Sequence, residues 1–250
     1  MTYNQSFKYE NLFASRVPGP QPFGDLVRQK YDFAVAYPDP ATLPLVEMAD
    51  LLKDALREEG RDLAVYPSLQ GYPPLREFLA QKLAKERGIE ITPDEVMLAD
   101  GSSQPLHMLT EALVDPGDVV FVEDFVYAGT LATFNRFGAD IRGVMCDDQG
   151  ILPDSLESGI QAAIKSGKQP KIIYTIPTFQ NPQGWTMTVD RRKELIRLSL
   201  KYGIPIMEDD CYVDLRYDGE NVPSIHSLDD SGSVMYVGSF SKIIAPGIRL

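Results

Sequence analysis

The residues able to do chemistry fall in five short stretches. The last is Gly238-Ser239-Phe240-Ser241-Lys242. A lysine among small hydroxyl residues is a candidate nucleophilic amine, because desolvation and nearby positive charge lower its pKa toward neutrality. Arg249 follows and carries the planar fork that grips a phosphate bidentately. The stretch Glu208-Asp209-Asp210-Cys211-Tyr212 sets three acids in a row. Burying them costs desolvation and mutual repulsion, which points to a purpose: binding a cation, or keeping a ring nitrogen of a ligand protonated. In Gln180-Asn181-Pro182-Gln183-Gly184, proline and glycine fix a turn, so Asn181 presents a rigid amide to a ligand oxygen. Tyr127, in Glu123-Asp124-Phe125-Val126-Tyr127, can stack on a planar ligand. Asp100-Gly101-Ser102-Ser103-Gln104 opens a helix, where free N–H groups and the dipole suit phosphate. Taken singly, each has an ordinary reading: a surface Lys and Arg, a turn Asn, a core aromatic, a helix N-cap at Ser102.

The elements that position these stretches repeat one pattern. Apolar periodicity predicts helices over Leu43–Glu59 and Tyr72–Arg87, closed by Gly60 and Gly88. From Val96 short apolar strands alternate with helices. Strands are expected at Val96–Ala99, Val119–Val122, Asp140–Met145, Lys171–Thr175, Ile204–Met207 and Val234–Val237. Helices are expected at Ser102–Val114, Tyr127–Phe137, Pro153–Lys165 and Thr188–Lys201. Such alternation predicts an α/β fold with a mostly parallel sheet covered on both faces. Ligands of these sheets sit beyond the C-terminal ends of the strands, which is where all five stretches fall. Together they describe a ligand with a phosphate, a flat ring, a ring oxygen, a basic ring nitrogen and an electrophilic carbon. Pyridoxal 5′-phosphate (PLP) has all five.

On these motifs, and on Tyr72-Pro73-Pro74-Leu75-Arg76, the sequence resembles the class I/II aminotransferases of PLP fold type I from about Tyr31 onward. Within them it is similar to the 2-aminoadipate/kynurenine aminotransferase group and to the catalytic domains of MocR-type regulators. The resemblance implies that Lys242 forms a Schiff base with PLP and later moves the substrate proton. It implies that Asp209 pairs with the pyridinium nitrogen, and that Tyr212 and Asn181 bond the ring O3′. Asn181 would also face the substrate carboxylate, and Tyr127 would stack on the ring. Ser102, Ser103, Ser239, Ser241 and Arg249 would hold the phosphate, with Tyr66 reaching the phosphate of a neighbouring subunit in a homodimer. Tyr37, in the loop Phe33-Ala34-Val35-Ala36-Tyr37-Pro38, and Arg16, in the N-terminal arm, fall where relatives meet substrate. The chain departs from the common family pattern at Ser103, Gln183 and in that loop, where relatives often carry Gly-Gly. The implied reaction moves an amino group from an α-amino acid to a 2-oxo acid.

Composition narrows the alternatives. The net charge of −12 opposes general binding to nucleic acid or an anionic membrane. No apolar run approaches the ~20 residues of a membrane span, and no signal-peptide pattern opens the chain. Cys146, Cys211, His107 and His226 do not make a zinc pattern, and a cytoplasmic protein with reduced thiols is expected. His107 reads as structural, His226 as exposed and Cys211 as a small filler. The proline-rich residues 1–40 read as an N-terminal arm with part of a small domain and the substrate loop, and 41–250 as the large PLP-binding domain. A PLP-dependent C–S lyase or decarboxylase shares the cofactor site, and a product assay separates it. A MocR-type sensing domain is the non-enzymatic alternative, tested by DNA binding. The resemblance also leads us to expect a longer chain, with a C-terminal small domain carrying the arginine for the substrate carboxylate. If 250 residues were the whole polypeptide, poor stability and little transamination would be expected, and intact mass decides.

Overall fold

A computed structural model describes residues 8–14, 17, 30, 31 and 37–250. It divides the chain into two units, 1–36 and 37–250. In the first, the described residues include a short 3-10 helix, Tyr9–Leu12. Arg16 lies outside the described residues.

The second unit opens with helices α1 (Leu45–Glu59) and α2 (Pro73–Arg87), the latter ending on Gly88 in the left-handed conformation, φ 66°. Helix α3 (Ser103–Leu113) precedes strand β1 (Val119–Glu123), helix α4 (Ala128–Arg136) and strand β2 (Asp140–Val144). A two-stranded hairpin follows, β3 (Cys146–Asp147) with β4 (Gly150–Ile151), which the alternation did not foretell. Then come α5 (Pro153–Lys165), β5 (Pro170–Thr175), α6 (Val189–Tyr202), β6 (Ile206–Asp209) and β7 (Val234–Val237).

The main sheet has the order β2-β1-β5-β6-β7, and every pairing in it is parallel. Alternation along the strands divides the core. Val119, Phe121, Ile173 and Ile206 pack with Leu156 and Ile160 of α5 and Leu195 of α6. Val120, Val122, Ile172 and Met207 pack with Leu106 of α3 and Phe134 of α4. The sheet is thus covered on both faces, as near-continuous apolar strands require.

One expected strand is absent. Val96–Ala99 is outside the ladder: Leu98 N donates to Gln70 O (2.9 Å), and no strand lies beside the segment. An extended apolar segment becomes a strand only when another supplies its hydrogen bonds. A groove of about 610 Å³ with mostly apolar walls separates it from β7. Helix α1 has no buried residue; Leu45, Val46, Leu51 and Leu52 all stand exposed.

Candidate active site

The five stretches converge on the rim formed by the C-terminal ends of the strands. At the end of β6, period-two alternation sends Asp209 to the same face as Met207 and Glu208 to the other. Asp209 is 3% exposed. Its Oδ2 accepts from Tyr174 Oη (2.7 Å) and its Oδ1 from Cys211 Sγ (3.1 Å). Tyr174 Oη in turn accepts from Thr130 Oγ1 (3.1 Å). Burial pushes the Asp209 carboxyl up, and these two donors pull it back. Among the described residues no cation forms an ion pair with it. Cys211 is therefore a donor to the acid rather than only a filler, and burial raises its thiol well above the usual range.

Beside Asp209, Asn181 Nδ2 donates to Tyr212 Oη (3.0 Å). The Tyr212 hydroxyl is raised first by burial, with Asp209 and Tyr127 adding electrostatic opposition to its ionisation. Tyr127 sits at the start of α4, 47% exposed, with its ring over Gly129. It is not a core aromatic. These four residues share one corner of the rim. Lys242 lies half-buried in the turn after β7, whose Val237 is in register with Asp209.

A second corner gathers the phosphate candidates. Gly101 N donates to Arg249 O (3.1 Å), and Phe240 N to Leu250 O (3.0 Å), so three distant segments lie side by side. Arg249 Nη2 donates to Asp100 O (2.9 Å), at the mouth of α3. Gly101 has φ 65°, a conformation glycine adopts without strain, and the Arg249 guanidinium lies 2.5 Å from where a Cβ would stand. Ser239 Oγ donates to Ser241 Oγ (3.0 Å) and accepts from Ser241 N (3.1 Å). The expected cap at Ser102 does not form: its conformation is already helical and its side chain makes no cap hydrogen bond, while Asp100 N donates to Gln104 Oε1 (2.6 Å).

Tyr66 is 98% exposed, and Tyr37 is 42% exposed at the start of the second unit. His107 packs edge-on against Phe137, as a structural residue would. His226, expected at the surface, is half-buried near the Tyr236 ring, and burial lowers its pKa.

The other two acids of the triplet serve the opposite face. Glu208 accepts from the Ile225 and His226 N–H groups (2.8 Å each), and Arg192 Nη1 lies 3.6 Å from it. Arg192 is fully buried, donating to the carbonyls of Met187, Pro177 and Pro223. Asp210 accepts from Tyr236 Oη (3.3 Å) and feels the same guanidinium. Among the described residues no group of three or more acids, cysteines and histidines is arranged to hold a metal ion. Sequence reading missed Tyr174, Thr130 and Arg192. The signal available was parity, since Tyr174 and Asp209 stand on neighbouring strands and point to one face.

The donor set suits PLP. A buried carboxylate without a cation fits a protonated ring nitrogen, the Asn181–Tyr212 pair fits a phenolic oxygen, and Arg249 with the α3 terminus fits a dianion. The family model for aminotransferase class I and II matches residues 34–250. The chain belongs to that family. It is 38% identical over 213 residues to aromatic-amino-acid aminotransferase 1 of Thermococcus litoralis, covering 85% of this chain and 51% of that protein. It is 32% identical to the 2-aminoadipate transaminase of Thermus thermophilus, covering 87% and 53%. The solved structure of the multiple substrate aminotransferase of Thermococcus profundus superimposes with a TM-score of 0.86 at 34% identity, over 97% of this chain and 62% of that one. The chain spans about half the length of the curated aminotransferases it matches.

Proposed function

We propose that this chain forms the cofactor-binding part of a PLP-dependent aminotransferase that moves an amino group from an α-amino acid to a 2-oxo acid. One observation carries the reading: Asp209 is buried at a strand end, held by Tyr174 and Cys211, unpaired with any described cation, and next to the Asn181–Tyr212 pair. When bound, PLP supplies an electron sink for charge developing at the substrate α-carbon. Asp209 holds the proton on the ring nitrogen. Asn181 and Tyr212 orient the ring through its oxygen, and Tyr127 covers its face. Lys242 Nζ anchors the cofactor and then carries the proton taken from the substrate α-carbon. Ser102, Ser103, Ser239, Ser241 and Arg249 bind the phosphate. Asn181 and Tyr37 face the substrate, with Arg16 in the arm.

The functional unit we infer is a cytoplasmic homodimer. Exposed apolar side chains on α1 and at Leu63, Val65 and Leu69 are available to a protein interface. Tyr66 falls among them in the sequence and would reach the partner's phosphate site. Light scattering tests the dimer. For the chemistry, PLP is added to the purified chain and to Lys242→Ala. After unbound PLP is removed, a lysine-bound visible band distinct from that of free PLP is expected in the former and is lost in the latter. Absence of that band in the unmodified chain overturns the reading. Release of ammonia without an oxo-acid acceptor would assign a lyase instead.

A further inference from the structure

Glu123 is buried, lies at the end of β1, and has no part in the chemistry above. We propose that Glu123 is a positioning residue for Asn181, acting through the Gln180 side chain to fix the loop between β5 and α6. The proposal deepens the PLP reading and rests on it.

The geometry is a chain of hydrogen bonds with a single polarity. Glu123 Oε1 accepts from Thr175 Oγ1 (2.5 Å) and Ile176 N (2.8 Å). Its Oε2 accepts from Gln180 Nε2 (2.7 Å). Gln180 Nε2 also donates to Phe125 O (2.7 Å), while Gln180 Oε1 accepts from Gln183 N (2.8 Å). Its backbone is bonded at both ends, N to Trp185 O (2.9 Å) and O from Gly184 N (2.6 Å). Each group hydrogen-bonded to Glu123 donates to it, so the ionised side chain acts purely as an acceptor. The Gln180 amide cannot turn over. Doing so would set its oxygen against Glu123 and Phe125 O, and its NH₂ against Gln183 N–H. Asn181 is the next residue along the chain, and its direction follows from Gln180.

The loop needs this external hold. Phe179 stands at φ 51°, a conformation costing a side-chain-bearing residue about 1 kcal/mol or more. Backbone preference alone would let the loop relax. A buried, fully satisfied polar network specifies one arrangement strongly, because any other leaves a buried group unpaired.

Glu123→Gln is the decisive variant, since it keeps shape and replaces an acceptor by a donor. The full chain is loaded with PLP, and the pKa of the lysine-bound cofactor is read from visible absorbance against pH. Loss of an amide donor at the ring oxygen raises that pKa. Loss of a nearby negative charge lowers it. The positioning role therefore predicts a rise of about half a unit to one unit, in the direction of Asn181→Ala, with PLP binding weakened about 10-fold. A fall in the pKa would show that Glu123 acts by charge. An unchanged pKa with a lower melting temperature would show only a structural acid. Either result overturns the proposal. If Glu123→Gln does not fold, Gln180→Ala leaves the charge in place and must still raise the pKa; no change there overturns the proposal too. Absence of the lysine-bound band in the unmodified chain overturns the cofactor reading itself, and this proposal with it.

Discussion

The two faces of β6 handle buried acids in opposite ways. On the α6 side, Glu208 and Asp210 share a fully buried arginine that also donates to three backbone carbonyls and to Thr178 Oγ1. On the α3–α4 side, Asp209 has two neutral donors and no described cation. The first arrangement balances its acids with a cation, leaving one Asp210 oxygen, Oδ1, without a hydrogen-bond partner. The second leaves one carboxylate short of positive charge at the mouth of a strand, which is the condition for a cationic ligand group. Adjacent residues of one strand thus serve stability and binding, separated only by the direction in which their side chains leave the backbone.

The largest expected effect breaks the balanced side. Arg192→Met strands Glu208 and Asp210 without their cation and should destabilise the fold by about 3–5 kcal/mol. Urea unfolding checks this, and a loss below about 1 kcal/mol would show that the guanidinium is not what balances the acids.

The second prediction concerns pH. Burial raises the Glu123 carboxyl to about 7 from an ordinary 4.5, so between those values the folded chain holds more protons there than the unfolded one. Through this group, stability falls as pH rises across that window, while the lowered His226 acts the other way below 6.5. The difference in urea midpoint between the unmodified chain and Glu123→Gln, followed from pH 5 to 8, isolates the Glu123 contribution; a difference that does not change with pH would refute the assignment.

On the open side, Tyr174→Phe removes one donor from Asp209 and leaves a buried oxygen unsatisfied, costing about 1–3 kcal/mol. Added PLP should restore less stability to this variant than to the unmodified chain, because Asp209 is less well held. Equal restoration in thermal melts would mean that Tyr174 does not serve the ligand.

The smallest effect belongs to Cys211. Cys211→Ala removes a weak donor, and a stability change under about 1 kcal/mol is expected. Its raised thiol pKa predicts slow reaction with a thiol reagent at pH 7. Rapid labelling would contradict the burial of the Asp209 corner.

Much of this was legible in the residues. Continuous apolar strands such as Val119–Val122, with amphipathic helices between them, predicted a two-sided parallel sheet, and the strand-end rule placed Asp209, Asn181, Tyr127 and Lys242 on one rim. Three local readings failed for reasons the sequence does not carry. Val96–Ala99 has the composition of a strand but no partner, and pairing is a property of two segments. Ser102 has the chemistry of a cap, but its backbone is already helical and its side chain makes no cap hydrogen bond. His226 sits in a polar connector, yet the connector folds onto Tyr236.

The sequence by itself determined the element types, the parallel sheet and the set of groups at the strand ends, because these follow from periodicity and from the chemistry of single side chains. The tertiary structure alone decided which acid is balanced by Arg192, which is held by Tyr174, and how Glu123 reaches Asn181 through Gln180. Those relations join residues 16 to 57 positions apart. They depend on which strands lie side by side and which face each side chain takes.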